Sequence, residues 1–330
     1  MPAQHGRVPG QVLRAGQEAG PAASLRPALT RAYVRERMTA HEGDCGRQPR
    51  GATLMGKGGL VKKQEYIHGY DPVEQERLIE QARYLDKWVR PGVEFKPKGR
   101  ILEVGCGVGA QTKILLKRFP GITIDGVDLV PEQLEAARHY LKRELAEGRV
   151  RLFQADASDL SSLDANAYDG AFICWFLEHV KDPLKVLKET RSRLKRNAPV
   201  FVSEVFNQTF FVNPYSPALL KYWFEFNDHQ WETGGHPFVG ASLGNLLTEA
   251  GFRKVGTEVR SFHFDSRQAK ERERFTKVFE KVLLSAAPAL LKAGRVDRKT
   301  ITKLKQELVR VEKSKDAVFY SAWVRAVGRA

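Results

Sequence analysis

The chain has 330 residues, of which 42% are hydrophobic, and its 54 lysines and arginines against 39 acidic residues give a net charge of +15. This length suits one large or two small domains, the composition excludes a chain that is disordered throughout, and no apolar run approaches the roughly 20 residues that span a bilayer. The three cysteines lie far apart, which argues against a disulfide framework or a zinc site, so we expect no metal and a reducing, cytoplasmic location.

Residues 1–54 differ in composition from the rest of the chain. They contain eight arginines but no Lys, Ile, Phe, Asn or Trp, so we expect them to be disordered. Three interpretations stay open: a transit peptide, which the single serine at Ser24 fits poorly, a basic tail, or an over-extended start with Met55 as the working initiator, which we favour. Residues 55–330 still carry a net charge of +11.

The first periodic segment is Asp71–Val89, where apolar residues recur at helical spacing. Asp71 is a suitable N-cap and Pro72 occupies the first helical position, so we predict a helix within the amino-terminal segment 55–98. From residue 100 onward, strands and helices alternate, which predicts a parallel sheet with helices on both faces. We predict strands at 100–104, 122–127, 150–154, 168–174, 199–205, 252–264 and 317–327, and helices at 110–118, 131–146, 183–194 and 242–250. The segment 267–313 is charged and predicted to be a helical insertion, with one apolar stripe through Phe275, Val278, Phe279 and Val282.

A glycine cluster joins the first predicted strand to the next helix. Gly105, Gly107 and Gly109 allow the backbone to adopt positive φ and to approach a ligand closely, and the helix N-terminus beyond them offers unpaired N–H groups. With Ala110 in the third glycine position and Asp128 at the place of a ribose-binding acid, these residues alone also fit an NAD site. The turn therefore predicts a nucleoside-containing cofactor without identifying it.

Four motifs that occur in order show which kind of nucleoside-containing cofactor the turn is expected to bind. Glu103 precedes the three glycines, Asp128 ends the second strand in GVDLVPEQLEAAR, Asp156 follows the third strand in FQADASDL, and YDGAFICWFLEHVKDP covers the fourth strand and the turn after it. Over residues 99–204 this series resembles the class I S-adenosylmethionine-dependent methyltransferases. One departure is the sequence Arg-Asn-Ala-Pro at 196–199, where the family usually has a Gly-Gly turn.

The resemblance implies a Rossmann-like α/β fold with a seven-stranded, mostly parallel sheet over 99–330, and S-adenosylmethionine as the cofactor. It places the amino-acid end of the cofactor at the glycine turn, with its ammonium facing Glu103 or nearby carbonyls. It implies that Asp128 binds the ribose hydroxyls, with Leu129 beside it, and that Asp156 and the Ala157 N–H bind the adenine.

The stretch 206–240 holds ten aromatic residues in 35. Because this family often inserts substrate-binding elements after the fifth strand, we interpret it as a substrate cap that binds a flat ring or a cationic amine. The alternative is a structural cap whose aromatic residues only pack on the sheet. Glu204, Glu232, His229 and His236 supply polar groups, and the two histidines are candidate bases.

Two further segments contribute candidates. The sequence YIHGY at 66–70 resembles the amino-terminal lid of small-molecule methyltransferases, in which Tyr66 and His68 would cover the cofactor, although an ordinary turn stays the alternative. His179 follows the fourth strand and is the third candidate base.

The sequence thus predicts methyl transfer from S-adenosylmethionine to a small molecule that is aromatic or carries an amine. An RNA methyltransferase stays an alternative because of the basic charge, although no Asn-Pro-Pro-Tyr-like or cysteine-pair motif follows predicted strand four or five and no separate RNA-binding module appears. A catalytically silent binding protein also stays open, whereas an NAD oxidoreductase would leave Asp156 and the Leu-Glu-His-Val stretch unexplained. A membrane-surface substrate is a further alternative through the basic segment 267–313.

Overall fold

In the computed structural model, which describes residues 66–330, the chain enters the fold through helix α1 (Pro72–Val89). The predicted cap is confirmed: Asp71 accepts hydrogen bonds from the backbone N–H groups of Val73 and Glu74, at 2.9 and 3.0 Å. The predictions for residues 1–54 and for a start at Met55 lie outside the described residues.

A seven-stranded sheet in the order β3-β2-β1-β4-β5-β7-β6 forms the centre of the molecule, which confirms the predicted fold class. The first five strands run parallel to one another, and β7 runs antiparallel between β5 and β6. The strands are β1 (Arg100–Val104), β2 (Thr123–Asp128), β3 (Val150–Gln154), β4 (Gly170–Cys174), β5 (Pro199–Asn213), β6 (Arg253–Phe264) and β7 (Val318–Arg329).

Helices cover both faces of this sheet because alternate strand residues point to opposite sides. Leu102 packs in one core and Ile101 in the other, and both side chains are fully buried. Within residues 66–330, no helix combines the length and apolar character needed to cross a membrane. The helices after α1 are α2 (Ala110–Arg118), α3 (Pro131–Tyr140), α4 (Lys142–Ala146), α5 (Pro183–Arg193), α6 (Pro217–Glu232), α7 (Leu243–Glu249), α8 (Ala269–Ser285), α9 (Ala287–Lys292) and α10 (Arg298–Lys313).

Strand β5 is the largest departure from the predicted elements. The expected strand ended at Val205, but the chain stays extended to Asn213 and pairs with β7, so residues 206–213 belong to the sheet and not to an inserted cap. The backbone N–H and C=O groups of β7 provide the hydrogen-bond partners that keep this part of β5 extended. The local sequence does not reveal so distant a partner. Only residues from α6 onward form the cap proper.

Two predicted helical segments are interrupted. The segment 131–146 divides into α3 and α4 at Leu141, which is fully buried beneath the glycine turn. The segment 267–313 divides into α8, α9 and α10, with Gly294 in a left-handed conformation after α9.

Candidate active site

The carboxyl ends of the central strands open onto one continuous cavity of about 670 Å³. Loops that follow parallel strands meet at the same edge of a sheet, so the glycine turn and the ends of β2, β3 and β4 come together there. These loops form a polar end. Side chains from α6, α8, β6 and β7 form a second, aromatic end, and residues 66–70 with α1 complete the wall.

The glycine turn adopts the conformation that its sequence predicts. Gly105, Gly107 and Gly109 have φ values of 74°, 50° and 75°. A Cβ on Gly105 would lie 2.1 Å from the ring of Phe176, and one on Gly109 would lie 2.5 Å from Leu141, so packing excludes any side chain at either position. A Cβ on Gly107 would meet nothing within 4 Å, because this backbone faces the open cavity.

Asp128 lies in the wall at the end of β2, beside Leu129. Its two carboxylate oxygens accept backbone hydrogen bonds from Gly107 at 2.9 Å and from Val130 at 3.0 Å. Burial raises the pKa of Asp128, and these backbone N–H groups oppose the rise by stabilising the anion. Each oxygen has a second lone pair, so the carboxylate can also accept two ribose hydroxyls.

The loop after β3 brings Asp156 and Ala157 into the same wall. Asp156 is exposed, and its Oδ1 accepts the backbone N–H of Ser158 at 2.8 Å. Ala157 is buried in the core beneath it. The two positions predicted for the adenine are therefore adjacent in the wall.

Glu103 does not lie where the resemblance predicts, facing the ammonium group of the cofactor. It does not line the cavity; it is buried beneath the turn, where the Thr112 hydroxyl donates to it at 2.6 Å and burial raises its pKa to about 7. The wall instead offers the amide oxygens of Gln111 and Gln133, which are buried and have no hydrogen-bond partner among the described residues. Sequence reasoning missed both glutamines, because isolated glutamines on helices carry no motif.

The segment 66–70 lies over the polar end. The Tyr66 ring contacts the His179 ring edge-on, with 4.9 Å between centroids, and both line the cavity. The Tyr66 hydroxyl lies 3.5 Å from the carboxylate of Glu74, which forms a buried ion pair with Arg77 at 2.6 Å. Burial raises the pKa of Tyr66, so its hydroxyl stays protonated.

The turn after β4 is strained and tightly held. Trp175 lines the cavity with a left-handed φ of 50°, which is costly for a non-glycine residue. The fully buried Glu204 accepts backbone hydrogen bonds from Phe176 at 3.0 Å and Leu177 at 2.8 Å, and burial raises its pKa to about 8. Glu204 therefore positions this turn, and no motif in the sequence indicates the strained backbone at Trp175.

His179 is the only predicted base that the structure, over residues 66–330, places in the cavity wall. Its Nε2 lies 3.7 Å from Glu178, and its Nδ1 lies 3.4 Å from the Gln230 side-chain nitrogen. Burial lowers the pKa of His179, although the Glu178 carboxylate opposes this. The imidazole is therefore neutral near pH 7.

The structure does not bring His229 and His236 to the cavity. His229 lies in the last turn of α6, and His236 follows that helix with its ring packed edge-on against Trp231 at 5.1 Å. The His236 backbone N–H donates to the Glu178 carbonyl at 2.8 Å. The wall residues of α6 are Trp223, Phe226 and Gln230, so His229 lies between two of them in sequence without lining the cavity, and His236 lies beyond the end of the helix.

The aromatic end combines α6 with the helical insertion. The rings of Trp223 and Phe226 lie parallel with 5.5 Å between centroids, and Phe279 packs against Trp223 at 5.4 Å. The apolar stripe predicted for segment 267–313 faces this cavity. Sequence reasoning found the stripe but did not assign it to the site. Its wall residues are Phe275, Val278, Phe279 and Val282.

The polar end fits S-adenosylmethionine. Gly107 leaves an open cradle in the backbone, Asp128 presents a carboxylate that can accept two hydroxyls, and the buried Gln111 oxygen lacks a partner among residues 66–330. A carboxylate for hydroxyls and a neutral oxygen for an ammonium are the donor and acceptor types that this cofactor requires.

Comparisons with known proteins agree with this geometry. Residues 102–202 match a family model described as a methyltransferase domain. The chain is 32% identical over 202 residues to the O-methyltransferase cnsE of Penicillium expansum, covering 59% of this chain and 68% of that protein. It is 27% identical over 166 residues to the ubiquinone biosynthesis O-methyltransferase of Histophilus somni, covering 44% and 67%.

A solved structure shows the same fold. A Haloferax volcanii protein in complex with the Trm112 methyltransferase activator superposes with a TM-score of 0.51 at 16% identity, covering 81% of this chain and 98% of that one. The family match, the cnsE relative and the site geometry make S-adenosylmethionine the methyl donor. The chain belongs to the class I S-adenosylmethionine-dependent methyltransferases, enzymes of the type that methylates small molecules.

Proposed function

We propose that this enzyme methylates a hydroxyl oxygen on a flat, largely apolar small molecule, with a phenol as the simplest acceptor. The observation that carries this proposal is the continuity of the cavity, which joins the cofactor end to an aromatic end without an intervening wall. An acceptor held in the aromatic end would present its hydroxyl toward the glycine turn.

The composition of the aromatic end supports a ring over an amine. The wall residues from α6, α8, β6 and β7 include no carboxylate among the described residues, so a cationic amine would find ring faces and the Gln230 amide oxygen there but no opposite charge. A flat ring that buries roughly 150 Å² of apolar surface would gain about 4 kcal/mol there. The names of the two curated relatives, both O-methyltransferases, support oxygen as the methylated atom.

The reaction requires alignment and exclusion of water. When bound, S-adenosylmethionine supplies an electrophilic methyl group, so that the acceptor oxygen forms the new C–O bond while the C–S bond breaks and its electron pair stays on sulfur. Residues 66–98 would cover the site as a lid, the domain at 99–330 would hold the cofactor, and α6 with the insertion at 267–313 would hold the acceptor. His179 and Tyr66 would line the point where the two ligands meet.

The test incubates the full chain with methyl-tritiated S-adenosylmethionine and three acceptor classes: alkyl-substituted phenols, ethanolamine-type amines and a transfer RNA pool. We expect labelled methyl ethers, identified by mass spectrometry, from the phenols alone. Labelling of amines or RNA without phenols would overturn the proposal in favour of that acceptor class. The Asp128→Ala variant is the control for label that does not come from this site.

A further inference from the structure

A second histidine of the lid lies in the cavity wall and is placed to accept a proton. His68 lines the cavity and is only 8% exposed. Its Nδ1 lies 2.7 Å from the hydroxyl oxygen of Ser285, at the end of α8. None of the hydrogen bonds among the described residues involves its Nε2.

The neighbouring hydroxyl determines which ring nitrogen of His68 carries the proton. Ser285 donates its single hydroxyl proton to the Val282 carbonyl at 2.9 Å, as serines on helices often do. It can therefore only accept from His68, which requires a hydrogen on Nδ1. In a neutral ring this leaves the lone pair on Nε2.

The position of His68 joins the two ends of the cavity. Its ring lies 5.2 Å from the Tyr66 ring on the polar side and 5.6 Å from the Phe226 ring on the aromatic side, measured between centroids. A hydroxyl on a ring held at the aromatic end would therefore pass close to His68.

The charges around His68 keep its ring neutral. Burial lowers the pKa of His68 well below its usual range, and Arg77 of α1 and His179 after β4 lower it further. The other groups packed against it, Ser285 of α8, Phe226 of α6 and the protonated Tyr66, carry no charge.

We propose that His68, oriented by Ser285, is the general base that takes the proton of the acceptor hydroxyl, an inference that rests on the proposed function. The proton passes to Nε2, both electrons of the O–H bond stay on the acceptor oxygen for the new bond to carbon, and the proton then leaves to solvent. His179 is less suited to this step because both of its ring nitrogens lie beside Glu178 or Gln230.

The kinetic test compares His68→Gln with His139→Gln, a control at an exposed position of α3 outside the cavity wall. We expect His68→Gln to lower kcat/KM for a phenol by roughly 100-fold near pH 7, within the usual range for loss of a general base, with unchanged affinity for S-adenosylhomocysteine. The variant should recover as pH rises toward the pKa of the phenol, and it should retain activity on a nitro-substituted phenol that is already ionised. Wild-type activity should be flat over the same range.

The role of Ser285 is tested by a double-mutant cycle. Ser285→Ala should lower kcat/KM less than His68→Gln does, and the double variant should be no slower than His68→Gln alone, because the serine acts only through the histidine. Independent, multiplicative losses would contradict this coupling.

A second readout does not depend on turnover. The full chain with ¹⁵N-labelled histidine has eight such rings, and His68→Gln assigns the signal of interest. Near pH 7 we expect a neutral His68 ring that carries hydrogen on Nδ1 and none on Nε2. The ¹⁵N signals of this ring should shift in Ser285→Ala. A hydrogen on Nε2, or a charged ring at that pH, would overturn the proposal even if the enzyme methylates phenols.

The two readouts separate the two proposals. A wild-type enzyme that labels no phenol refutes the proposed function, and the tautomer measurement then decides the assignment of His68 by itself. A wild-type enzyme that labels phenols, together with a fully active His68→Gln, refutes the general base and leaves the proposed function intact.

Discussion

Asp128→Ala is expected to weaken S-adenosylhomocysteine binding by at least about 100-fold. The Asp128 carboxylate is fixed by the N–H groups of Gly107 and Val130, and each of its oxygens can accept one more hydrogen bond from a ribose hydroxyl. A hydrogen bond to a charged group contributes about 1.5–3 kcal/mol, so loss of two costs about 3–6 kcal/mol. Since about 1.4 kcal/mol is a tenfold change in Kd, the loss amounts to roughly 10²- to 10⁴-fold.

The same substitution also affects the fold. Removing the Asp128 carboxylate leaves two backbone N–H groups without their acceptor, which costs about 1–3 kcal/mol each where water cannot replace it. Asp128→Asn keeps one oxygen acceptor and loses the charge, so we expect an intermediate loss of affinity with a smaller loss of stability. Thermal unfolding followed by circular dichroism shows whether each variant is folded at the assay temperature.

The assay is calorimetric titration of the full chain with S-adenosylhomocysteine. Asp159→Ala is the matched control, because Asp159 is an exposed acid after β3 that does not line the cavity. We expect wild-type affinity for the control. A folded Asp128→Ala protein that binds within about threefold of wild type would show that the ribose does not depend on this carboxylate.

Further variants test the acceptor end, a buried acid and the glycine turn. Phe226→Ala should raise the KM for a phenol several-fold without changing S-adenosylhomocysteine affinity, whereas Phe224→Ala, on the exposed face of the same helix, should change neither in the same kinetic assay. Glu204 has a folded pKa of about 8, above its ordinary 4.5, so the unfolded chain ionises first and stability should fall as pH rises through this interval. Glu204→Gln should remove that fall. In urea unfolding, the free energy of unfolding of the variant should therefore rise by a few kcal/mol relative to that of the wild type between about pH 5 and pH 8.5. A difference between the two proteins that does not change with pH would refute the assignment. Gly105→Ala should lower the melting temperature because its Cβ has no space, whereas Gly107→Ala should cost only about 1 kcal/mol of backbone strain and mainly weaken cofactor binding by calorimetry.

Local signals determined most of the elements. Asp71 and Pro72 specify the start of α1, and the predicted bounds of β1, α2 and β3 are confirmed, because capping and apolar alternation act within a few residues. The extension of β5 to Asn213 was not predicted, since it depends on pairing with β7 more than a hundred residues later. An element that exists only through a distant partner leaves little trace in its own sequence.

The order of four motifs in the sequence identified the family and, through it, the cofactor. The sequence also predicted that the glycine turn, Asp128 and Asp156 lie together, because they stand at the ends of parallel strands that meet at one sheet edge. Only the tertiary structure decided which other side chains share that cavity. It separated His179 and His68, which line the wall, from His229 and His236, which do not, and it turned the apolar stripe of α8 inward beside Trp223. The physical reason is that the sheet topology fixes where the strand ends lie. The direction in which a helical side chain points depends instead on how helices that are far apart in the chain pack together.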